Sequence, residues 1–367
     1  MEISKIADEI KRLKPKAHER FAENLIMLIS QIERSVMLRG PYRLVVDSNI
    51  LMRLESYRSG NITEGLLSIL LAFALIKRLP FHIDVVVRPV VFYEFLRLKN
   101  VTSTREHWER FKELKAIIEN ELEIILFFDG IETYAGAEYY GNLIASDANK
   151  IANALRSYQD RDWRFDFIRK AGDFDGAWLG NGLIEVPPFL AAKGLYTELG
   201  LEYFNEGRAS IFFVDHIEKH LTECPQNNKE IIKKYATDKI FLLTKILKLS
   251  PKGVLVGLAD IDILTLCNIQ SQFNDQALGR YVPASIGMSI DENLSKALHY
   301  FSSIHLSSLQ MRGGEANVSD NFAIMEAFIH EQNRIKEGEE RGKIAQQLIE
   351  NFIDKIHSHG IFQSPVS

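Results

Sequence analysis

With 367 residues, 46% of them hydrophobic and 25% charged, the chain has ample material for an apolar core, and its length allows two domains or one domain with large additions. A formal net charge of -5 removes any global electrostatic argument for nucleic acid or an anionic membrane, although a local basic stripe is sufficient for nucleic acid. The two cysteines, Cys224 and Cys267, lack Cys-x-x-Cys spacing, which argues against a disulfide framework or a zinc site and fits a reducing, cytoplasmic setting.

At the start of the chain, Ile3, Ile6, Ile10 and Leu13 recur at helical spacing among charges. This predicts one or two amphipathic helices over residues 1–40, unlike the unbroken apolar core of a signal peptide. The turn RGPYR closes that extension, and Leu44–Val46 predicts a strand followed by a long helical region to about Arg78. Within it, GLLSILLAFALI is bounded by Glu64, Lys77 and Arg78. It falls short of the roughly 20 residues a bilayer requires, so it reads as a buried helix and no membrane partner is expected.

HIDVVV, rich in β-branched residues, predicts the second strand. Pro89 then suits the first turn of a helix, where its missing N–H would be unpaired in any case, and Glu94 falls about one and a half turns in.

Residues 101–250 read as a mixed insertion or recognition region. It comprises a charged helix (REHWERFKELKAIIENEL), an apolar strand (EIILFF) and an alanine-rich helix (GAEYYGNLIASDANKIANALRSY). A loop-like stretch from Arg161 to Pro188, dense in glycine, aspartate, arginine and tryptophan, follows. SIFFVD predicts another strand and KEIIKKYATDKIFLLTKILK a helix pair. Residues 251–300 carry GLADIDILTLC and SIGMSIDENLSKAL. The tail from 301 to 367 reads as helical, with Ile344, Leu348, Phe352 and Ile356 at a four-residue repeat.

Four places share one pattern, an apolar or strand-like run and then a carboxylate near the start of a helix: Asp47 after LVV, Glu94 after VVVRP, Asp260 and Asp291. At the carboxyl ends of parallel strands in an α/β sheet they could converge. Gathered carboxylates repel and raise one another's pKa, a penalty that a divalent cation removes, and oxygen-only ligands with retained water suit Mg²⁺ or Mn²⁺. Each aspartate has an alternative reading as a helix N-cap. Glu94, inside a helix beside Phe92, Tyr93 and Phe95, is hard to justify as a helix cap; its alternative reading is a surface residue on the polar side of that helix.

The order VVDSN, then a strand, a proline and a helix carrying FYEF, then LADIDILTLC, then MSIDENL resembles the PIN domain, a metal-dependent nuclease fold related to the flap-type 5′-nucleases. The resemblance implies a three-layer α/β/α core with a mainly parallel central sheet, split between residues 41–100 and 251–300 and flanked by helical extensions. It implies that Asp47, Glu94, Asp260 and Asp291 are the catalytic, metal-holding acids. Ser48 and Asn49 match the polar pair that orients the first acid, and Asn293 and Leu294 match the family's Asp-x-Asn-Leu ending. Family members are usually compact, whereas about 165 residues separate Glu94 from Asp260 here.

Alternatives remain at the third and fourth positions. Asp262 would point about 200° away from Asp260 on a helix, so only one of the two can face a site. Asp147 is a rival third acid and Asp215 a rival fourth.

The activity implied is hydrolysis of a phosphodiester with Mg²⁺ or Mn²⁺, leaving a 5′-phosphate and a 3′-hydroxyl, with RNA favoured over DNA and a toxin or defence effector as a setting. Aromatics interleaved with cations suit stacking on unpaired bases and contact with phosphates. The candidates are Arg161, Trp163 and Arg164, together with the Lys233 and Lys234 cluster; the competing reading is a solvated lysine face and a small aromatic core. A catalytically inactive PIN-like module that binds nucleic acid or protein is the alternative function. Its terminal helices would suit contacts to a second copy or a partner protein.

Overall fold

The structure is a computed structural model that describes residues 3–14, 38–77, 82–98, 104–159, 199–204 and 255–301, residues 17, 24, 25, 28 and 31, and the short strands at 164–165, 184–185 and 248–249. In chain order the elements are α1 (Ile3–Lys11), β1 (Tyr42–Val46), α2 (Ser48–Arg58), α3 (Glu64–Ile76), β2 (Ile83–Val87), α4 (Pro89–Leu98), α5 (Thr104–Leu122), β3 (Leu126–Phe128) and α6 (Tyr134–Gln159). They continue with β4 (Arg164–Phe165), β5 (Ile184–Glu185), β6 (Lys248–Leu249), β7 (Leu255–Val256), α7 (Leu258–Leu266), α8 (Ile269–Ala277), β8 (Ala284–Met288) and α9 (Glu292–Phe301). Among the described residues no helix is long and apolar enough to cross a membrane.

The chain divides into two compact units, one of Met1–Val87, His107–Phe128 and Cys267–Ser367, the other of Arg88–Glu106 and Asp129–Leu266. The first unit is α/β. Its four-stranded sheet runs in the order β3-β2-β1-β8, and every pairing is parallel. YRLVV, IDVVV and ASIGM carry the near-continuous apolar runs expected of parallel strands covered by other elements, and Ala284 to Met288 are all buried. β3 comes from the 101–250 stretch and forms the edge beside β2. Helix α5 packs on it, with the Phe111 and Phe128 rings edge to face at 3.8 Å.

The region from Ser48 to Arg78, expected as one long helical stretch, contains two helices. The turn sequence Ser59, Gly60, Asn61 separates them, and Gly60 takes φ +70°, which costs a residue without Cβ little. Helix α3 is apolar on nearly every side, with Leu66, Leu67, Ile69, Leu70, Leu71, Ala72 and Phe73 buried, and α1 and α2 pack against it.

The sheet order locates the place where a ligand is favoured. From β1 the chain steps outward to β2 and then β3, whereas β8 joins on the opposite side of β1. The strand order therefore reverses between β1 and β8, and crevices outside the carboxyl ends of strands at such a point are where open α/β sheets bind ligands.

In the second unit α4 packs against α6 and α7, and α6 also lies against β6 and β7. β4 pairs with β5, and β6 with β7, both antiparallel. Lys248, expected in a helix, is a strand residue in the β6–β7 pair. The expected SIFFVD strand, most of the Lys233 helix pair and the C-terminal helical tail lie outside the described residues.

Candidate functional site

Asp47 follows the last residue of β1, at the carboxyl edge beside the strand-order reversal. It occupies the N-cap position of α2, with φ -79° and ψ 160°, yet its side chain makes no cap hydrogen bond. Its carboxylate is 0% exposed and accepts from Ser48 Oγ at 3.2 Å, Asn49 Nδ2 at 2.9 Å and Ser289 Oγ at 2.8 Å. These donors are all neutral, and no cation among the described residues pairs with it. Burial raises the Asp47 pKa above the ordinary carboxylate value, against the lowering effect of the hydrogen bonds from Ser289, Asn49 and Ser48.

Ser289 was not among the residues singled out in the sequence, and the sheet register explains its place. Val46 pairs with Met288, and the Asp47 N–H donates to the Met288 carbonyl at 3.0 Å, so the next residue of each strand stands beside the other. The Ser289 hydroxyl donates to Asp47 and accepts from the Asp291 N–H at 3.0 Å, linking the first and fourth acids through one oxygen. The signal available in the sequence was a serine two residues before Asp291 at the end of an apolar run.

Asp291 caps α9. Its Oδ1 accepts from the N–H groups of Asn293 at 2.9 Å and Leu294 at 3.0 Å, so the Asp-x-Asn-Leu sequence is also an N-cap. Asn293 meets Asp291 through its backbone N–H in that contact.

Glu94 and Asp260 belong to the second unit. Glu94 Oε1 accepts from the N–H groups of Gly257 at 3.1 Å and Ala259 at 3.2 Å, at the N-terminus of α7. Its position inside α4 therefore caps a different helix, where unsatisfied N–H groups and the helix dipole favour a carboxylate. Gly257, at φ +98°, makes the turn into that helix. Asp260 lies in the first turn of α7 and is half-buried.

Asp262, two residues on, pairs with Arg88 Nε at 3.0 Å, and Asp129 takes Arg88 Nη1 at 2.9 Å. The Asp262 charge raises the Arg88 pKa in spite of burial, and burial pushes the Tyr203 phenol well up, helped by the Asp262 charge. The rival Asp147 is a buried clamp. It accepts the backbone N–H groups of Glu202, Tyr203 and Phe204 at 2.8 to 3.2 Å, with Lys150 Nζ 3.9 Å away.

Arg161, Trp163, Lys233, Lys234 and Asp215 fall outside the described residues, and Arg164 is described only as a β4 backbone position. Among the described residues no three His, Cys, Asp or Glu side chains gather as a group able to hold a metal ion. No family model, curated protein or solved structure matches the chain.

Proposed function

We propose that the chain is a metal-dependent phosphodiesterase with a PIN-like, three-layer active-site fold, an endonuclease acting on RNA. The observation that carries this reading is Asp47: a fully buried carboxylate at the carboxyl end of a central parallel strand, beside the strand-order reversal, with neutral hydrogen-bond donors only. An ionised carboxylate in such surroundings is costly, and a bound cation is the group that would offset its charge.

The donor chemistry fits Mg²⁺ or Mn²⁺. Asp47 and Asp291 are the residues of the first unit that would hold it; Glu94 and Asp260, to which the resemblance gives the same role, belong to the second unit. Mg²⁺ keeps several waters and binds through one or two carboxylates plus substrate phosphates, so a closed protein cage is not required. Such an ion lowers the pKa of its water and offsets charge on the scissile phosphate. Ser48, Asn49 and Ser289 fix both oxygens of Asp47, which limits the reorganisation needed when a charged ligand arrives. RNA as substrate rests on the resemblance and on the aromatic and basic residues from Arg161 to Arg164 and at Lys233 and Lys234.

Incubating the purified protein with RNA and DNA pools in Mn²⁺, beside Asp47→Asn, tests the proposal. RNA cleavage by the parent alone is expected; equal cleavage by both proteins, or by neither, would sink it. A second reading, a non-catalytic binding module, is favoured by Glu94 and Asp291 each committing an oxygen to a helix N-terminus. Calorimetry that finds RNA binding without any heat of Mn²⁺ binding would select that module instead.

A further inference from the structure

We infer that Arg88 is a positioning residue that sets the rotation of α7 about its own axis, so that Asp260 and not Asp262 is presented as the working acid. The inference rests on the nuclease reading for what Asp260 does, but the brace itself rests on contacts within the second unit.

Arg88 immediately precedes Pro89, the first residue of α4, and its guanidinium reaches two carboxylates at once. Nε meets Asp262 on α7 and Nη1 meets Asp129, the residue after β3, so the planar fork is fixed from two directions. A second tie joins the same two helices. Glu94 on α4 holds the Gly257 and Ala259 N–H groups where α7 begins.

These two ties act on different degrees of freedom. The Glu94 cap fixes where α7 starts but, acting on N–H groups at the helix end, constrains its roll only weakly. The buried Leu258, Ala259, Ile261, Ile263 and Leu264 lie all round the helix, so their apolar pattern selects no single face. The Arg88–Asp262 pair acts on a side chain one turn further on, with the Asp262 side chain only 14% exposed and that of Arg88 20% exposed, so screening by water is limited. Holding Asp262 on the Arg88 side turns Asp260, about 200° around the helix, to the other side. On this inference the choice between the two acids, open in the sequence, falls to an arginine 174 positions away from Asp262. Tyr203 closes the cluster as a buried ring whose phenol stays protonated, adding no charge that would compete for the guanidinium.

The experiment compares wild type with Arg88→Gln, Arg88→Lys, Asp260→Asn and Asp262→Asn by hydrogen–deuterium exchange across residues 257–266 and by calorimetric titration with Mn²⁺. Arg88→Gln is expected to speed exchange in α7 and to weaken Mn²⁺ binding about tenfold or more, the usual cost of losing a group that orients a ligand. Arg88→Lys keeps the charge without the fork and should recover part of both effects. Asp260→Asn should weaken Mn²⁺ binding with exchange unchanged, whereas Asp262→Asn should resemble Arg88→Gln.

Unchanged exchange in Arg88→Gln would overturn the brace. Loss of Mn²⁺ affinity in Asp262→Asn with unchanged exchange would overturn the assignment of Asp260. If the wild-type protein binds no Mn²⁺, the nuclease reading falls and takes the role of Asp260 with it, and the exchange comparison then decides the brace alone.

Discussion

Two aspartates, one in each unit, are both 0% exposed, and they solve the problem of a buried charge in opposite ways. Asp147, on α6, is met by three backbone N–H groups from residues 202–204 and has a lysine nearby, so its charge is satisfied within the protein. Asp47 is met by neutral donors, two hydroxyls and an amide among them, and no cation among the described residues pairs with it. Burial is therefore a poor marker of function by itself. The discriminating quantity is whether the surroundings already neutralise the group; a buried carboxylate left unbalanced is the one whose charge is removed by a proton, as the raised Asp47 pKa favours, or offset by a cation.

The largest effect should come from the satisfied member of the pair. Asp147→Ala leaves three N–H groups without their acceptor, a change expected to cost roughly 3–5 kcal/mol of unfolding free energy. Urea unfolding measures it, and Asp147→Asn, which keeps one acceptor oxygen, should fall in between. A loss under about 1 kcal/mol would show that surface loops take up those donors with water, and that the contrast with Asp47 is overstated.

Asp47 should behave with the opposite sign. Its pKa is raised in the folded state above 3.8, so folding favours the protonated form. The stability this contributes is fully present below about pH 4 and is lost as pH rises through the folded value. Without divalent metal, Asp47→Asn should therefore match wild type in acid and exceed it at pH 8 by roughly 1–3 kcal/mol, the range for burying a poorly compensated polar group. The serine hydroxyls can rotate to accept from the new amide. Adding Mn²⁺ at a hundredfold excess over its Kd should stabilise wild type by about 2.7 kcal/mol and leave the variant unmoved. Equal pH profiles for the two proteins would remove the main support for a cation at Asp47.

How much of this could be read in the sequence differs from residue to residue for physical reasons. β1, β2 and the helix opened by Pro89 are local in origin: runs of β-branched residues and a proline at the first helical turn specify them within a few positions. The contacts of Asp47 with Ser48 and Asn49 are likewise local, one and two residues away. Ser289 is 242 positions away and became a neighbour only through the parallel register of β1 and β8. The Arg88 pairs span 41 and 174 positions, and Glu94 reaches 163 and 165. Sequence pattern argued against Glu94 as a cap because only its own helix was in view; the helix it does cap starts more than 160 positions away. Asp147 and Asp47 look alike in sequence, each beside a serine, and only their distant partners tell them apart.

The smallest change, Asn49→Ala, is the sharpest probe of the contrast because it alters one neutral donor and leaves the carboxylate in place. The lost bond, 2.9 Å long, holds the ionised form more strongly than the protonated one, so its removal should cost about 1.5 kcal/mol at pH 8 and less at pH 4. It lowers the Asp47 pKa in the native protein, so the variant's Asp47 should titrate at a higher pH and the window of pH-dependent stability should move upward with it. In contrast to Asp47→Asn, this variant keeps the charge and should still respond to Mn²⁺. A pH-independent loss would mean that Asn49 supports only the start of α2, and that Asp47 remains protonated, with no charge to offset, across the whole range.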